Sequence, residues 1–322
     1  MKQIVRAILS PVLSFLVLTN CARATTFPER PVTIVIPYSA GGVTDVFGRA
    51  IAMKLSRLWN QNVIIDNRAG GGTIIGTQHV SRALPDGYTL LLTSYGFTSN
   101  PILRKNLPYD PASLTPLLLI GTSSNTLVIN ANLPYRDLND ILKMAREKPG
   151  ALTLASSGNG SSPHVAAELF AKAAGIQITH IPYKGTSPAM NDILGGQVNG
   201  IFDGTSALGQ VSTGKLRAIA TAAAARHPSS PEVPTFRELG IDLVFGGWFG
   251  FFVPSGMPQA LQETLFKDIE RAIADPEVNA VIVKTGLVLE TQTQEQFKKF
   301  LQTESERLRS LTESAGASIA VE

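Results

Sequence analysis

An apolar run that ends in a Gly- or Ser-rich loop and passes into an amphipathic stretch recurs along this chain, in both halves. The first instance is Val32 to Ile36, then Pro37-Tyr38-Ser39-Ala40-Gly41-Gly42-Val43-Thr44-Asp45, then a helical pattern from Val46 to Trp59. Apolar Val46, Phe47, Ala50, Ile51, Leu55 and Leu58 recur there at spacings of three and four, with Arg49, Lys54 and Arg57 between them. The second is Val63 to Ile65, the loop Asp66 to Thr73 with Gly70-Gly71-Gly72, and a helix from Ile74 to Ala83. A third strand, Tyr88 to Leu92, ends in polar Thr93-Ser94-Tyr95. Residues 101–116 read as irregular, and Thr126 to Asn130 as the strand that crosses into a new lobe. The same order then returns with Leu152 to Ala155, the loop Ser156 to His164 and a helix from Val165 to Ala174. Ile178 to Ile181 leads into Pro182-Tyr183-Lys184-Gly185-Thr186, and Gly200 to Asp203 is a short strand ending in an acid. Strand, loop and helix in that order build an open α/β sheet, and two such series predict two α/β lobes with a cleft between them. Polar loops at the C-terminal ends of the parallel strands face that cleft.

With 44 % hydrophobic and 16 % charged residues over 322 positions, the chain has ample material for a buried core. Its first segment reads differently from the rest. Lys2 and Arg6 precede an apolar run from Ala7 to Leu18, and Ala22-Arg23-Ala24 has the small-x-small cleavage pattern of a secretory signal peptide, residues 1–24. The apolar run is short against the roughly 20 residues of a membrane span. Lipidation at Cys21 is the weaker reading, because bulky Asn20 stands before it. Cys21 is the only cysteine, so cleavage leaves a chain without disulfide, thiol nucleophile or Cys-based metal site. Lys2, Arg6 and Arg23 also leave with the leader, which turns 28 bases against 25 acids into 25 of each. A chain of zero net charge gives no reason to expect nucleic acid or an anionic membrane surface as partner.

The loops exclude several chemistries. Pro37 to Asp45 lacks the Gly-Lys-Ser/Thr ending of a phosphate loop and the Gly-x-Gly-x-x-Gly order of a dinucleotide turn. No serine sits in a Gly-x-Ser-x-Gly elbow, and His79, His164, His180 and His227 form no His-x-x-x-His pair. What the first loop can do is present backbone N–H groups, freed by Gly41 and Gly42 and joined by those of a helix start, to a carboxylate. A plain turn is the competing reading. Ser161-Ser162-Pro163, after Gly158 and Gly160, offers an opposing clamp or an ordinary Ser-rich helix cap. Asp45 is expected to cap the first helix, and Asp203 to receive an ammonium or hydroxyl group. Trp248 and Phe249 read as core or hinge packing, His164 as a helix-start histidine and Glu168 as solvated.

The motifs taken together resemble one family. Pro37 to Asp45 with Arg49, Asn67-Arg68-Ala69-Gly70-Gly71-Gly72, Pro85-Asp86-Gly87-Tyr88-Thr89-Leu90, Asn106-Leu107-Pro108-Tyr109-Asp110, Ser156 to Ser162, Pro182-Tyr183-Lys184-Gly185, Leu194-Gly195-Gly196-Gln197-Val198 and Phe202-Asp203 follow in order. The succession closely resembles the Bug family (TctC-like), the extracytoplasmic solute receptors of tripartite tricarboxylate transporters. Val233-Pro234-Thr235, Trp248-Phe249-Gly250 and Ala274-Asp275-Pro276 continue it, so the likeness runs through the whole chain after the leader.

That resemblance implies a type II periplasmic-binding-protein fold with two crossovers, residues 25–125 plus 246–322 forming lobe 1 and 126–245 lobe 2. It implies a non-enzymatic periplasmic receptor, without metal or cofactor, that binds a dicarboxylate, tricarboxylate, acidic amino acid or aromatic carboxylate. A monomer that delivers its solute to membrane permease subunits is expected. The implied carboxylate grip is Ser39, Ala40, Gly41, Thr44 and Asp45 with Gly158, Ser161 and Ser162. The implied specificity end is Ser94, Tyr95, Tyr183 and Asp203. Tyr38-Ser39-Ala40 departs from the Phe-Pro-Ala or Phe-Pro-Pro common in the family, and Gly204-Thr205 and Gly209-Gln210 replace bulkier residues. Two other functions compete: a secreted hydrolase or isomerase, which would need a base such as His164 within about 3 Å of a serine, and a ligand-sensing receptor feeding a membrane sensor.

Overall fold

The computed structural model describes residues 27–204, 207–227 and 230–315. The leader and Cys21 lie outside the described residues. In chain order the elements are β1 (Val32–Ile36), α1 (Val43–Trp59), β2 (Val63–Asn67), α2 (Ile74–Ser81), β3 (Thr89–Ser94), α3 (Gly96–Leu103), β4 (Leu114–Ser124) and β5 (Thr126–Asn130). There follow α4 (Leu138–Glu147), β6 (Leu152–Ser156), α5 (Ser162–Ala174), β7 (Ile178–Pro182), α6 (Thr186–Leu194), β8 (Gly200–Asp203), α7 (Leu208–Ser212) and β9 (Leu216–Thr221). The chain closes with β10 (Gly246–Pro254), α8 (Gln259–Ile273), α9 (Pro276–Lys284), β11 (Val288–Gln292) and α10 (Gln294–Ala315).

Two sheets result, ordered β11-β4-β10-β3-β1-β2 and β7-β6-β8-β5-β9. Each has three parallel strands in the order second, first, third: β2-β1-β3 and β7-β6-β8. In each, the strand arriving from the other lobe is antiparallel to the third strand and pairs with the fourth on its far side. That strand is β10 in the first lobe and β5 in the second. The two lobes are thus built to one plan, the type II plan.

The continuous apolar character of β1 follows from burial on both faces. Val32, Ile34 and Ile36 join the core beneath α1 and α8, while Val35 joins the core on the opposite face with Leu91 and Leu119. All four are inaccessible to solvent, and each such aliphatic contributes about 1.5–3 kcal/mol by burial. In the second lobe Leu152 and Leu154 of β6 enter one core and Ala155 the other, the two-residue period of a strand.

The lobes join at Asn125, between β4 and β5, and along 222–245. The two crossings are bonded side by side: Ala222 N–H donates to the Asn125 carbonyl at 2.7 Å, and Phe245 N–H to that of Ala222 at 2.8 Å. Trp248, 1 % exposed, packs on Phe252 and Phe297 beside this hinge, as expected for core.

Some local expectations fail. α3 occupies 96–103, overlapping the stretch read as irregular. Pro101 sits inside this helix, where it lacks a donor N–H, and Gly96 and Asn100 lower its propensity. Helix α1 begins three residues earlier than its apolar pattern, because Gly42 is the N-cap.

Candidate functional site

The polar loops expected to face the cleft lie at the C-terminal ends of parallel strands β1, β2, β3, β6, β7 and β8. The loop after β1 is braced from within. Gly41 has φ +77°, a conformation glycine adopts without strain. The Asp45 carboxylate accepts from Gly41 N–H at 2.9 Å, Arg49 Nε at 2.9 Å and Asn67 Nδ2 at 3.0 Å. Burial alone raises the Asp45 pKa, but these bonds outweigh it and hold the group below the ordinary aspartate value. Asp45 stands in the first turn of α1 rather than at its N-cap, and reaches back to the loop. It is a brace.

Three helix starts then converge on one cavity of about 50 Å³. Gly42, Val43 and Thr44 come from α1, Ser162 and Pro163 from α5, and Thr186 from α6. The N–H groups of a helix's first turn have no intrahelical acceptor and lie at the positive end of its dipole. The remaining wall is Tyr38 and Ser94 at the ends of β1 and β3, Ser123 and Asn125 at the crossover, Ser157, Asp203 and Gly204, with Phe249, Thr285 and Leu287. Among these described lining residues there is no Lys, Arg or His. The positive field comes from backbone dipoles, and Asp203 is the one ionisable carboxylate in the wall, its Oδ2 accepting from Ala207 N–H at 2.8 Å.

The cleft is closed. Ser39 N–H donates to the Lys184 carbonyl at 3.1 Å, and Ser99 Oγ to the Gly160 carbonyl at 2.5 Å, each bond running from one lobe to the other. Glycines permit the approach: a Cβ on Gly72 would lie 2.2 Å from the Asn159 carbonyl oxygen, and one on Gly185 2.2 Å from Ser39 Oγ.

Of the residues named from sequence, Thr44, Ser94, Ser162 and Asp203 line the cavity. Ser39, Ala40 and Gly41 form the loop at the seam between the lobes. Gly158, φ +130°, lies against the Gly72 backbone, and Ser161 is the N-cap of α5 with a buried hydroxyl that makes no hydrogen bond. Two tyrosines are elsewhere. Tyr95, 1 % exposed, packs edge-on against Phe245, ring centroids 5.1 Å apart, in the core behind the hinge. The Tyr183 hydroxyl donates to Asp192 at 2.5 Å within the second lobe. Phe249, expected only as packing, is part of the wall.

His164 and His180 sit behind the second-lobe loop, stacked with ring centroids 4.0 Å apart. His164 Nδ1 accepts from Gly160 N–H at 3.0 Å, and His180 Nε2 lies 2.6 Å from Ser156 Oγ. Burial, then the neighbouring His180, lowers the His164 pKa to about 3, and burial lowers that of His180 to about 4. The serine paired with a histidine is fully buried and outside the cavity wall, so it is no nucleophile for a substrate in the cleft. Glu168 is not solvated: its side chain is 15 % exposed, 4.0 Å from His164 Nε2, and burial raises its pKa. Among the described residues no group of three or more His, Cys, Asp or Glu side chains could hold a metal.

Two lobes of one strand order, two crossovers and a cleft walled by helix starts define a solute-binding receptor of the type II periplasmic-binding class. Residues 47–317 match the tripartite tricarboxylate transporter family receptor, TctC. The chain belongs to that family of receptors, and it is a binding protein rather than an enzyme. Similar solved structures include the periplasmic binding protein BugD, 32 % identical with TM-score 0.86 over 90 % of this chain and 99 % of that one. Rpa4515 of R. palustris, solved with adipate, is 29 % identical with TM-score 0.86, covering 90 % of this chain and 98 % of that one. MatC of Rhodopseudomonas palustris, solved with malate, is 28 % identical with TM-score 0.83, covering 88 % and 99 %.

Proposed function

We propose that this receptor captures a small carboxylate-bearing solute in the periplasm and hands it to the membrane permease subunits of a tripartite tricarboxylate transporter. The observation that carries the reading is the convergence of the α1, α5 and α6 N-termini, from both lobes, on one cavity without a cationic side chain. Preorganised N–H dipoles in a closed cleft hold an anion well, since little solvent or protein must reorganise. The adipate and malate held by its relatives are ligands of this class.

In this reading the chain enters the periplasm through a signal peptide cut after Ala24 and acts as a monomer. Lobe 1 comprises 25–125 and 246–322, and lobe 2 comprises 126–245. Ser39, Ala40, Gly41 and Thr44 grip the carboxylate from one side, and Gly158, Ser161 and Ser162 from the other, with Asp45 acting through Gly41. Ser94 and Asp203 meet the far end. Among the described residues no helix is long and apolar enough to cross a membrane. Ligand-stripped receptor should melt at higher temperature in the presence of some members of a panel of organic acids. A panel without effect would remove the proposal.

A further inference from the structure

The loop after β6 meets the first lobe through two glycines. Gly158 lies against the Gly72 backbone, and the Gly160 carbonyl accepts from Ser99 Oγ of α3. Gly160, φ +79°, stands directly before Ser161, the N-cap of α5, and the start of that helix faces the cavity. Whatever fixes Gly160 therefore sets both the seam and one wall of the site.

Gly160 is fixed from behind. Its N–H donates to Nδ1 of His164, in the first turn of α5, at 3.0 Å in a bond closed to solvent. The bond needs a lone pair on Nδ1, so the proton of the neutral ring stands on Nε2, 4.0 Å from Glu168 Oε1. Burial, then the neighbouring His180, keeps that ring neutral; a proton on Nδ1 would set one N–H against another. His180 is stacked on the ring with centroids 4.0 Å apart and is itself tied to Ser156 Oγ at 2.6 Å. Ser156 Oγ in turn accepts from Gly158 N–H at 3.1 Å. Both glycines of the seam are thus braced from the same buried pair of rings. At Gly160 the N–H is held by its own lobe and the carbonyl by the other.

We infer that His164 is a positioning residue for ligand capture: from outside the cavity wall it holds Gly160 where Ser99 of the other lobe meets it as the cleft closes. The inference rests on the reading of this receptor as one that closes on a carboxylate.

The test is calorimetric titration of ligand-stripped receptor with adipate, malate, citrate, glutamate and benzoate, in wild type, His164→Asn, His164→Gln and Ser99→Ala. Asn carries its amide oxygen near the place of Nδ1, and Gln carries it further out, near that of Nε2. For the acid that wild type binds most tightly, His164→Gln should bind about tenfold more weakly and His164→Asn within about threefold of wild type, a difference of one buried hydrogen bond. Loss of side-chain volume alone would give the opposite order, since Asn is the smaller. Ser99→Ala should also weaken binding, and adding it to His164→Gln should cost little more, because both act through Gly160. In wild type at about pH 7, imidazole nitrogen chemical shifts should place the His164 proton on Nε2. Wild-type affinity in His164→Gln, no advantage of Asn over Gln, full additivity with Ser99→Ala, or a proton on Nδ1 overturns the inference while carboxylate binding stands. Failure of all five acids to bind wild type overturns the functional reading and takes this one with it.

Discussion

The backbone N–H of Ser39, in the loop after β1, donates to the carbonyl of Lys184, in the loop after β7, at 3.1 Å. These residues belong to different lobes, and the bond forms because Gly185, next to Lys184, has no side chain to hold Ser39 away. The loops after β1 and β7 that meet here lead into α1 and α6, whose starts face the cavity, so a ligand held there touches both lobes beside their seam.

Gly72 is the sharpest probe of that seam. Gly72→Ala places a methyl group 2.2 Å from the Asn159 carbonyl oxygen of the other lobe. At φ +61° it also adds local strain of about 1–2 kcal/mol. The variant should fold, bind ligand about tenfold or more weakly, and remain extended in small-angle scattering when ligand is added. Wild-type affinity together with ligand-induced compaction would show that this contact does not limit closure.

Asp45→Ala removes the acceptor for Gly41 N–H, Arg49 and Asn67. Loss of about 1 kcal/mol of stability is expected from removing these hydrogen bonds, since exposed Gly41 and Arg49 regain water as a partner, read by urea denaturation. Affinity should fall as well, because Gly41 is no longer held. Normal binding in a destabilised variant would detach the brace from the grip.

The stacked histidines make the second-lobe loop acid-sensitive. The folded pKa values of His164 and His180, about 3 and about 4, lie below the ordinary 6.5, so the unfolded chain takes up protons first as pH falls. Stability is complete above about pH 6.5 and declines toward pH 3–4, by up to about 1.4 kcal/mol per pH unit for each histidine. Glu168, whose pKa is raised, offsets part of the loss, since the folded state takes its proton more readily than the unfolded chain. His164→Asn, with an amide oxygen to accept from Gly160, should flatten the melting-temperature profile between pH 4 and 6.5 (expected range from the ordinary histidine value). A profile as steep as wild type would assign the slope to other groups.

Much of this was legible in the chain. The recurrence of strand, glycine loop and helix gives two α/β lobes, and β1 reads as doubly buried because Val32, Ile34, Val35 and Ile36 leave no polar face. The limits are geometric. Tyr95 follows Ser94 by one residue, but it begins α3, and the helical turn carries its ring into the core behind the hinge, onto Phe245. Phe249 reads as packing because an aromatic residue in an apolar strand looks the same whether it faces core or cavity. Asn125, Thr186 and the pair Thr285 and Leu287 come from three separate segments, and no local pattern shows that folding brings them to one wall. Tyr38 was visible only as a departure from the family pattern, and its bond to Ser94 joins strands distant in sequence.

The central claim is that backbone dipoles from three helix starts, with no cationic side chain, hold an ionised carboxylate. Calorimetric titration of ligand-stripped receptor with its tightest organic acid and with the primary amide of that acid tests it most directly. The acid should bind saturably with one site per chain, and the amide, neutral and carrying two N–H donors toward the helix starts, should bind at least about a hundredfold more weakly. Equal affinity for acid and amide, or no binding of any carboxylate, would contradict it.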